Sequence, residues 1–304
     1  MSIGTLIQWC YATVNFWWGC CEVSTGCRNC YAKKMAKRLG RGRATWGPGG
    51  LRWLRCAESA GELLRLEKCA VKKNTRLRVF INSMSDTFED RRDLDGARNV
   101  LFSIAPCVPH LDLLLLTKRP ECVEQLVPDA WKTRDLTRGE FGTPGWPANV
   151  WLGFSGENQE MFDSRWPIVE QLARDYGIPC TFCSAEPLVG PLNIEIAQWD
   201  GGGEDEPETR PLDWLIVGGE SGQSARLCNP QWIRALVNQA REFEIPVFVK
   251  QLGAHCGQVW SGGEAGRGFP VAIKDSHGGN MAEWPDDLRV RELPAPSIIN
   301  RVQT

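Results

Sequence analysis

Three cysteines near the start of the chain have a spacing that is typical of a metal centre. Cys20, Cys27 and Cys30 form the pattern Cys-x6-Cys-x2-Cys. Three closely spaced thiolates can bind three irons of a [4Fe–4S] cluster. No fourth cysteine follows at a matching distance, so the fourth iron would keep an open coordination position. In zinc proteins, catalytic sites keep an open coordination position, whereas structural sites have all four positions filled by protein ligands. By analogy, an open position on the cluster indicates a reactive centre.

Basic side chains lie just downstream of these thiols. Arg28, Lys33 and Lys34 are close to the cysteines in sequence, and cations beside a cysteine lower its pKa. We therefore expect the thiols of this segment to ionise readily and to act as metal ligands.

Two other interpretations of the cysteines remain open. A tetrahedral zinc site could be completed by Cys21, by Cys10 or by a distant histidine, or the cysteines could hold no metal. The histidines are His110, His255 and His277. The remaining cysteines are scattered and are expected to be small core residues; they are Cys56, Cys69, Cys107, Cys122, Cys180, Cys183, Cys228 and Cys256.

Short apolar runs alternate with segments of helical periodicity, and these elements must position any site. Helical spacing is clear over Met161–Tyr176 and Gln231–Phe243. Strands that alternate with helices predict βαβ units and a parallel sheet. We expect an α/β fold, an open or partial (β/α)6 barrel with outer helices, built from six strands or, where Thr13–Phe16 adds one, from seven. The predicted strands are Leu77–Ile81, Leu111–Leu116, Asn149–Phe154, Cys180–Cys183, Trp214–Val217 and Pro246–Val249.

Polar residues follow each of the six predicted strands. In barrels and open α/β sheets, ligands bind at the carboxyl ends of the strands. Six polar strand ends therefore indicate one shared site, although any single one could be an ordinary loop. The segments are Asn82–Asp86, Thr117–Pro120, Ser155–Asn158, Ser184–Pro187, Gly218–Gly222 and Lys250–Gln251.

Composition limits the class of protein. The chain has 304 residues, of which 42% are hydrophobic and 24% charged, which is typical of a globular protein rather than a disordered one. The longest uninterrupted apolar run, Leu113–Leu116, is far shorter than the ~20 residues of a membrane span. A signal peptide has a basic stretch followed by an apolar core. The sequence lacks this pattern, so we expect no signal peptide. We expect a cytoplasmic protein.

The charge is distributed unevenly along the chain. The net charge is −2, but Arg28–Arg78 contains 15 Lys and Arg against 3 Glu, a local net charge of +12. Such a segment predicts either an anionic partner such as nucleic acid or a solvated helical face. Trp46 and Trp53 within it could stack on bases or pack inward. Most of the 14 tryptophans are expected in the core.

The cysteine segment resembles the three-cysteine signature of phage-associated radical S-adenosylmethionine (SAM) proteins. The resemblance extends from Thr5 to Pro294. Its motifs are Ile7-Gln8-Trp9, Asn15, Gly19-Cys20, Val23-Ser24, Gly26-Cys27-Arg28-Asn29-Cys30-Tyr31-Ala32, Asn82-Ser83-Met84-Ser85-Asp86, Leu116-Thr117-Lys118-Arg119-Pro120, Trp151-Leu152-Gly153-Phe154-Ser155, Ser184-Ala185-Glu186-Pro187-Leu188, Asp213–Gly222, Lys250-Gln251-Leu252-Gly253 and Trp284-Pro285.

The segment also departs from the family pattern close to the cysteines. Gln8 replaces the usual acid, Cys10 the usual Thr, and Phe16 the usual Pro. Cys21 beside Cys20 leaves two candidates for the first ligand, and the preceding glycine favours Cys20. These changes indicate a specialised member.

The resemblance implies roles for residues of this chain. Cys20, Cys27 and Cys30 would ligate a [4Fe–4S] cluster. Tyr31 would pack beside the cluster or the adenine of SAM. The other implied cofactor contacts are Ser83, Asp86, Lys118, Ser155, Glu157 and Ser221, and the implied catalytic or substrate residues are Lys118, Glu186, Glu220, Arg226 and Lys250, with barrel-rim salt bridges as the competing interpretation. Gly218-Gly219 would let the backbone approach a ligand closely or form a plain turn.

The function that follows from the resemblance is radical chemistry on a nucleobase. The cluster and SAM would generate a 5′-deoxyadenosyl radical that abstracts hydrogen from substrate, with an external electron donor. The favoured reaction is rearrangement of a thymine–amino-acid adduct in phage DNA hypermodification, in the infected host cell. Alternatives are repair of a base lesion and a non-catalytic, zinc-stabilised nucleic-acid-binding module. We expect the barrel to span residues 1–260, with the cluster loop near 20–30 and a Gly-rich loop and C-terminal extension over 261–304.

Overall fold

The apolar runs of the sequence form the strands of the fold, with one more parallel strand before them. The computed structural model describes residues 5, 7–39, 45–132, 145–197, 210–256 and 273–294. Runs of Leu, Val and Ile suit strands that are covered on both faces. The strands are β1 Ala12–Val14, β2 Trp17–Trp18, β3 Trp53–Leu54, β4 Leu77–Ile81, β5 Leu111–Thr117, β6 Val150–Ser155, β7 Thr181–Ala185, β8 Trp214–Gly218 and β9 Val247–Gln251.

Seven of these strands form one parallel sheet in the order β1-β4-β5-β6-β7-β8-β9. Strand β1 pairs with β4, Ala12 opposite Val79 and Val14 opposite Ile81. The order follows the chain without reversal, which is the winding of a barrel rather than of a doubly wound sheet. Since β1 and β9 are the two edges, the barrel is partial. The predicted fold class is confirmed, with the seventh strand where the sequence allowed it.

The helices connect successive strands. They are α1 Tyr31–Arg38, α2 Cys56–Lys73, α3 Asp95–Ile104, α4 Val123–Leu126, α5 Gln159–Tyr176 and α6 Pro230–Glu242. The two helices expected from periodicity are therefore present, with starts that differ by one or two residues. The apolar face of α6 explains its position, because Ile233, Leu236 and Val237 are buried and the helix packs on β8 and β9.

The chain divides into two compact units. Unit 1 comprises Met1–Phe154, Pro167–Thr181 and Ala295–Thr304, and unit 2 comprises Ser155–Trp166 and Phe182–Pro294. Within unit 2, the segment 273–294 joins the core through β9, since Phe248 bridges Arg291. The expected boundary at residues 260 and 261 lies outside the described residues, as does most of the expected Gly-rich loop.

Tryptophan is mainly a core residue, as expected. Trp53 is half-buried, with the Arg55 guanidinium over its ring, and Trp46 packs against a small cluster of buried side chains. Neither ring is freely exposed. The buried tryptophans are Trp9, Trp17, Trp131, Trp146, Trp151, Trp166, Trp214 and Trp284.

None of the helices in the described part of the chain combines the length and the apolar character that a bilayer crossing requires.

Candidate functional site

The cysteine loop, residues 19–30, depends on a glycine at its start. Gly19 has φ +112°, and a Cβ there would lie 2.2 Å from the Thr45 carbonyl oxygen. Only glycine tolerates both the backbone conformation and the close approach. The loop then turns through the hydrogen bond from Cys30 N to the Cys27 carbonyl, 3.1 Å, and α1 begins at the next residue.

The loop is attached to the carboxyl end of β4. Gly19 N donates to the Met84 carbonyl at 3.1 Å, and the Tyr31 hydroxyl donates to the Ser83 carbonyl at 2.7 Å. The Asn15 side chain connects β1 to the same turn, because its Oδ1 accepts from Met84 N at 2.7 Å and its Nδ2 donates to Ser83 Oγ at 3.2 Å. The structure therefore brings Tyr31 and Ser83 beside the cysteine loop.

Asp86 organises the ends of β4 and β5. Its Oδ1 accepts from Thr117 Oγ1 at 2.7 Å and from Phe88 N at 3.0 Å. Its Oδ2 accepts from Lys118 N at 3.1 Å and from Arg119 Nη1 at 2.9 Å. Both oxygens of Asp86 are thus engaged by protein donors, so the carboxylate orders the ends of β4 and β5. Its implied contact with SAM stays a prediction.

Arg119 continues this network into the cysteine loop. Its Nη2 donates to the Cys21 carbonyl at 2.7 Å, and its Nη1 lies 3.8 Å from Cys20 Sγ. Burial opposes the charge, but Asp86 and Cys20 hold the pKa of Arg119 above its ordinary value. The side chain is thus a permanent cation beside the first cysteine.

A second buried ion pair supports the segment that follows the loop. Arg52 Nε donates to Glu89 Oε2 at 2.9 Å, and Nη1 donates to the Thr45 carbonyl at 2.8 Å. Gly47 N in turn donates to the Cys20 carbonyl at 3.0 Å. This part of the basic segment is therefore structural, and Arg52 is not available to an external anion.

Burial dominates the ionisation of two of the three thiols. Desolvation raises the pKa of Cys20 and of Cys30. The expected net lowering of these pKa values is wrong for both thiols. Burial raises the pKa by more than the nearby cations lower it, Arg119 acting on Cys20 and Lys118 on Cys30. A buried thiol ionises only with strong compensation, and a metal supplies it by coordinating the thiolate.

The surroundings of Cys30 fit an iron–sulfur group. Cys30 packs with Trp18 and Trp46 around buried Met84. The indole Nε1 atoms of these two tryptophans are buried and have no hydrogen-bond acceptor among the described residues. Buried indole N–H groups ordinarily have a partner, and sulfur atoms of a bound cluster could accept from them.

A single metal ion needs at least three ligand side chains close together. No group of three or more His, Cys, Asp or Glu side chains within the described ranges is arranged to hold one. Four sulfurs around one zinc lie about 3.8 Å apart by tetrahedral geometry. The thiolates of a [4Fe–4S] cluster bind different irons, so their sulfurs lie farther apart. The thiols of the described residues therefore do not form a single-ion site in this structure.

Unit 2 contains the expected strand-end carboxylates, and each forms a salt bridge. Glu186 Oε1 accepts from Lys250 Nζ at 2.9 Å, and the two side chains remain 12% and 21% exposed. Gly218 makes room for this carboxylate, since a Cβ there would lie 2.7 Å from Glu186 Oε1. The pair is placed at the ends of β7 and β9 and retains access to solvent.

The second pair closes the turn after β8. Glu220 Oε2 accepts from Arg226 N at 2.7 Å and from Arg226 Nε at 3.0 Å. Gly219 permits a close backbone approach, because a Cβ there would lie 2.5 Å from the Leu252 carbonyl oxygen. Ser221 follows in the same turn and is half-buried.

The third carboxylate, Glu157, is fully buried. Arg165 Nη1 donates to its Oε2 at 2.7 Å and to the Ser155 carbonyl at 2.7 Å. The salt-bridge interpretation therefore describes Glu157, Glu186 and Glu220, while their contacts with a cofactor or substrate stay a prediction.

The predicted site residues form one group in each unit. In unit 1 the network of hydrogen bonds joins the cysteine loop to the ends of β4 and β5. In unit 2 the carboxylates follow β6, β7 and β8. The unit 1 group contains Cys20, Cys27, Cys30, Tyr31, Ser83, Asp86 and Lys118, and the unit 2 group contains Ser155, Glu157, Glu186, Glu220, Ser221, Arg226 and Lys250.

Sequence reasoning missed Arg119 and chose its neighbour Lys118. Side chains alternate along extended backbone, and Thr117 and Arg119 both reach the Asp86 carboxylate, whereas Lys118 does so through its backbone N–H. The i, i+2 relation of Thr117 and Arg119 was the available signal. Asn15 belongs to the family resemblance, but its contacts with Ser83 and Met84 were not predicted, because these partners lie far along the chain.

Exposed cations cluster on and before α1. Arg28, Lys34, Lys37 and Arg38 are exposed, and α1 contains no acidic residue. Lys33 pairs with Glu22 on the surface. Lys34 and Lys37 are three residues apart and so share a helix face, which makes this end of the basic segment a candidate anion surface.

Comparison with known proteins assigns the chain to a family. Residues 4–281 match the model of the family described as Protein of unknown function (DUF5131), and the chain belongs to that family. A search of curated proteins gave no match.

Two structures of spore photoproduct lyase mutants are similar in fold. A cysteine-to-serine mutant has a TM-score of 0.41 and 12% identity over 72% of this chain. A cysteine-to-alanine mutant with dinucleoside spore photoproduct has a TM-score of 0.38 and 11% identity over 76% of this chain. The matches span 58% and 60% of those proteins.

Proposed function

We propose that this protein is a radical SAM enzyme whose [4Fe–4S] cluster is held by Cys20, Cys27 and Cys30. The observation that carries the proposal is the attachment of the cysteine loop to the ends of β4 and β5, through Gly19 and Arg119. The carboxyl edge is where barrel and open α/β folds bind ligands. A reactive centre at this edge is placed for catalysis.

When bound, the cluster and SAM would supply radical chemistry at this edge. The protein orients and shields this group. Met84, Ala32 and Ala36 are buried beside Cys30 and keep water from that side of the loop. Tyr31, whose hydroxyl donates to the Ser83 carbonyl, would pack beside the cluster or the adenine of SAM.

We assign the SAM contacts of unit 1 to Ser83 and Lys118, with Asp86 holding the backbone of the latter. In unit 2 we assign Ser155, Glu157 and Ser221 to the cofactor, Glu157 acting through its ion pair with Arg165. We propose that the partly exposed pair Glu186–Lys250 serves in proton transfer with a substrate, because a carboxylate and an amine in contact can exchange a proton. Arg226, which is paired with Glu220, would contact the substrate through its guanidinium.

We further propose that the substrate is a nucleobase in DNA and that the chain is a phage-type radical SAM protein. The exposed cations of α1 and Arg28 support a polyanionic partner, since clustered Lys and Arg bind the phosphate backbone. The specific reaction proposed is the rearrangement of an amino-acid adduct on thymine. A carbon-radical shift suits this cofactor, whereas polar chemistry achieves such a shift with difficulty.

The cluster assignment is tested by anaerobic reconstitution with iron and sulfide, followed by dithionite, SAM and mass spectrometry for 5′-deoxyadenosine. We expect product from the wild type and none from Cys27→Ala or Cys30→Ala. Cys107→Ala is the matched control, because this thiol is exposed and remote in sequence from the loop. Tightly bound zinc without 5′-deoxyadenosine would refute the enzyme and favour the binding module.

The partner assignment is tested by fluorescence anisotropy with DNA over a range of salt concentrations. Each phosphate contact contributes about 0.9 to the slope of log affinity against log salt for duplex DNA. Lys34→Ala with Lys37→Ala should lower this slope by about 2, whereas the exposed Lys274→Ala control should not change it. Equal slopes for all variants would exclude α1 as the DNA surface.

The reaction is tested by incubating modified phage DNA with the loaded enzyme and digesting it to nucleosides. An isomer of equal mass to the starting adduct is expected. Reversal of a lesion to two ordinary bases would instead indicate repair.

A further inference from the structure

We propose that Arg119 selects Cys20 as the first cluster ligand and raises the reduction potential of the bound cluster. The inference rests on the proposed function and adds a residue that acts on the cluster through one of its ligands. Arg119 is a positioning residue in this sense, since it touches Cys20 and not the substrate.

The guanidinium serves three acceptors at once. Its Nη1 reaches Asp86 Oδ2 at 2.9 Å and Cys20 Sγ at 3.8 Å, and its Nη2 reaches the Cys21 carbonyl at 2.7 Å. The side chain is 9% exposed, so water competes little for these donors. A planar fork with fixed donors can satisfy such a set, and an ammonium cannot reproduce it.

This arrangement distinguishes the two adjacent cysteines. Arg119 contacts the sulfur of Cys20, whereas in Cys21 it contacts only the backbone carbonyl. The carbonyl bond fixes the peptide that follows Cys20, and the sulfur contact fixes its side chain. Cys20 is therefore oriented by the network, whereas the side chain of Cys21 has no part in these contacts.

A cation beside a ligand sulfur affects the electron affinity of a cluster. Reduction adds negative charge, part of which resides on the sulfurs, and a hydrogen-bond donor stabilises that charge. The carboxylate of Asp86 holds the donor in place and moderates its charge. Removing the guanidinium should make the cluster harder to reduce.

The test uses the full-length reconstituted protein and an electron paramagnetic resonance measurement of the reduced cluster at set potentials. Arg119→Lys and Arg119→Gln should lower the ratio of reduced to oxidised cluster about tenfold at a given potential, which corresponds to about 59 mV for one electron. Arg76→Lys is the matched control. Arg76 pairs with Asp112 at the opposite ends of β4 and β5, and its change should leave the ratio unaltered.

The iron content of cysteine variants gives a second, independent measurement of which cysteine is the ligand. Cys20→Ser should lose the cluster and Cys21→Ser should retain it. Loss of iron from both Arg119 variants, with circular dichroism unchanged, would support the positioning of Cys20 by Arg119, since outer-sphere partners change metal affinity by about 10–100-fold.

Three results would overturn the inference. The first is an unaltered reduced fraction in both Arg119 variants at full iron content. The second is loss of iron in Cys21→Ser with retention in Cys20→Ser. Both leave radical SAM chemistry intact, although the second would replace Cys20 by Cys21 in the proposed ligand set. Absence of an iron–sulfur cluster from the wild type is the third, and it refutes the proposed function together with this inference.

Discussion

Removing the Asp86 carboxylate should destabilise the protein even without any cofactor. Asp86 is 5% exposed and accepts hydrogen bonds from Thr117, Phe88, Lys118 and Arg119. Asp86→Ala leaves the buried Arg119 guanidinium without its counter-ion and removes an acceptor from the other three donors. The perturbation therefore tests whether this network holds the ends of β4 and β5 together.

The magnitude follows from the ion pair. Removal of one partner from a buried salt bridge costs about 3–5 kcal/mol, because the remaining charge is desolvated and unpaired. For cooperative unfolding of 304 residues, the unfolding entropy is about 0.6 kcal/mol/K. A loss of about 4 kcal/mol then lowers Tm by about 6 °C.

Differential scanning calorimetry of the metal-free protein measures this change. Asp129→Ala is the control, because Asp129 forms an exposed ion pair with Lys132, and such pairs contribute little. Combining Asp86→Ala with Arg119→Met removes both charges and should recover part of the lost stability. A decrease in Tm below about 2 °C, or a double variant that is strictly additive, would refute the reasoning.

Three further changes should have defined effects on Tm. Gly219→Ala places a methyl 2.5 Å from a backbone oxygen and should cost about 3 kcal/mol, whereas Gly61→Ala in α2, with nothing within 4 Å, should add about 1 kcal/mol; equal effects would contradict the packing argument. Arg165→Ala leaves Glu157 buried and unpaired and should cost about 3–5 kcal/mol, with a smaller loss for Arg165→Lys. Backbone N–H groups of its own loop lower the pKa of Asp275 below 3.8, so its stabilisation is present above that pH and is lost as the pH falls through the folded-state pKa. Melting curves of Asp275→Asn and wild type should therefore differ at neutral pH and converge well below pH 3.8, and a constant difference would exclude the linkage.

Local pattern was sufficient for most elements of the fold. Leu77–Ile81 was predicted with its observed bounds. Other strands, such as Leu111–Thr117 and Val247–Gln251, extend one or two residues beyond the apolar run, because polar residues at a strand end still pair in the ladder. Hydrophobic runs mark burial rather than hydrogen bonding, so they place a strand more reliably than its last residue.

The candidate site was predicted in its residue types more than in its contacts. The cysteine spacing and the polar residues at the strand ends are local features, and both can be identified from the sequence. Whether Glu186 and Glu220 form salt bridges depends on Lys250 and Arg226, and the sequence left that alternative open. The structure shows both pairs.

The sequence alone determined which side chains have the chemistry for a cluster and which runs form a parallel sheet, because spacing and periodicity are properties of neighbouring residues. Only the tertiary structure decided how those side chains are held. Arg119 meets Cys20 across 99 positions and Asp86 across 33, and no local pattern specifies such pairs. The same reason explains the raised pKa of the Cys20 and Cys30 thiols, since desolvation depends on every segment packed around a group and not on the charges beside it in sequence.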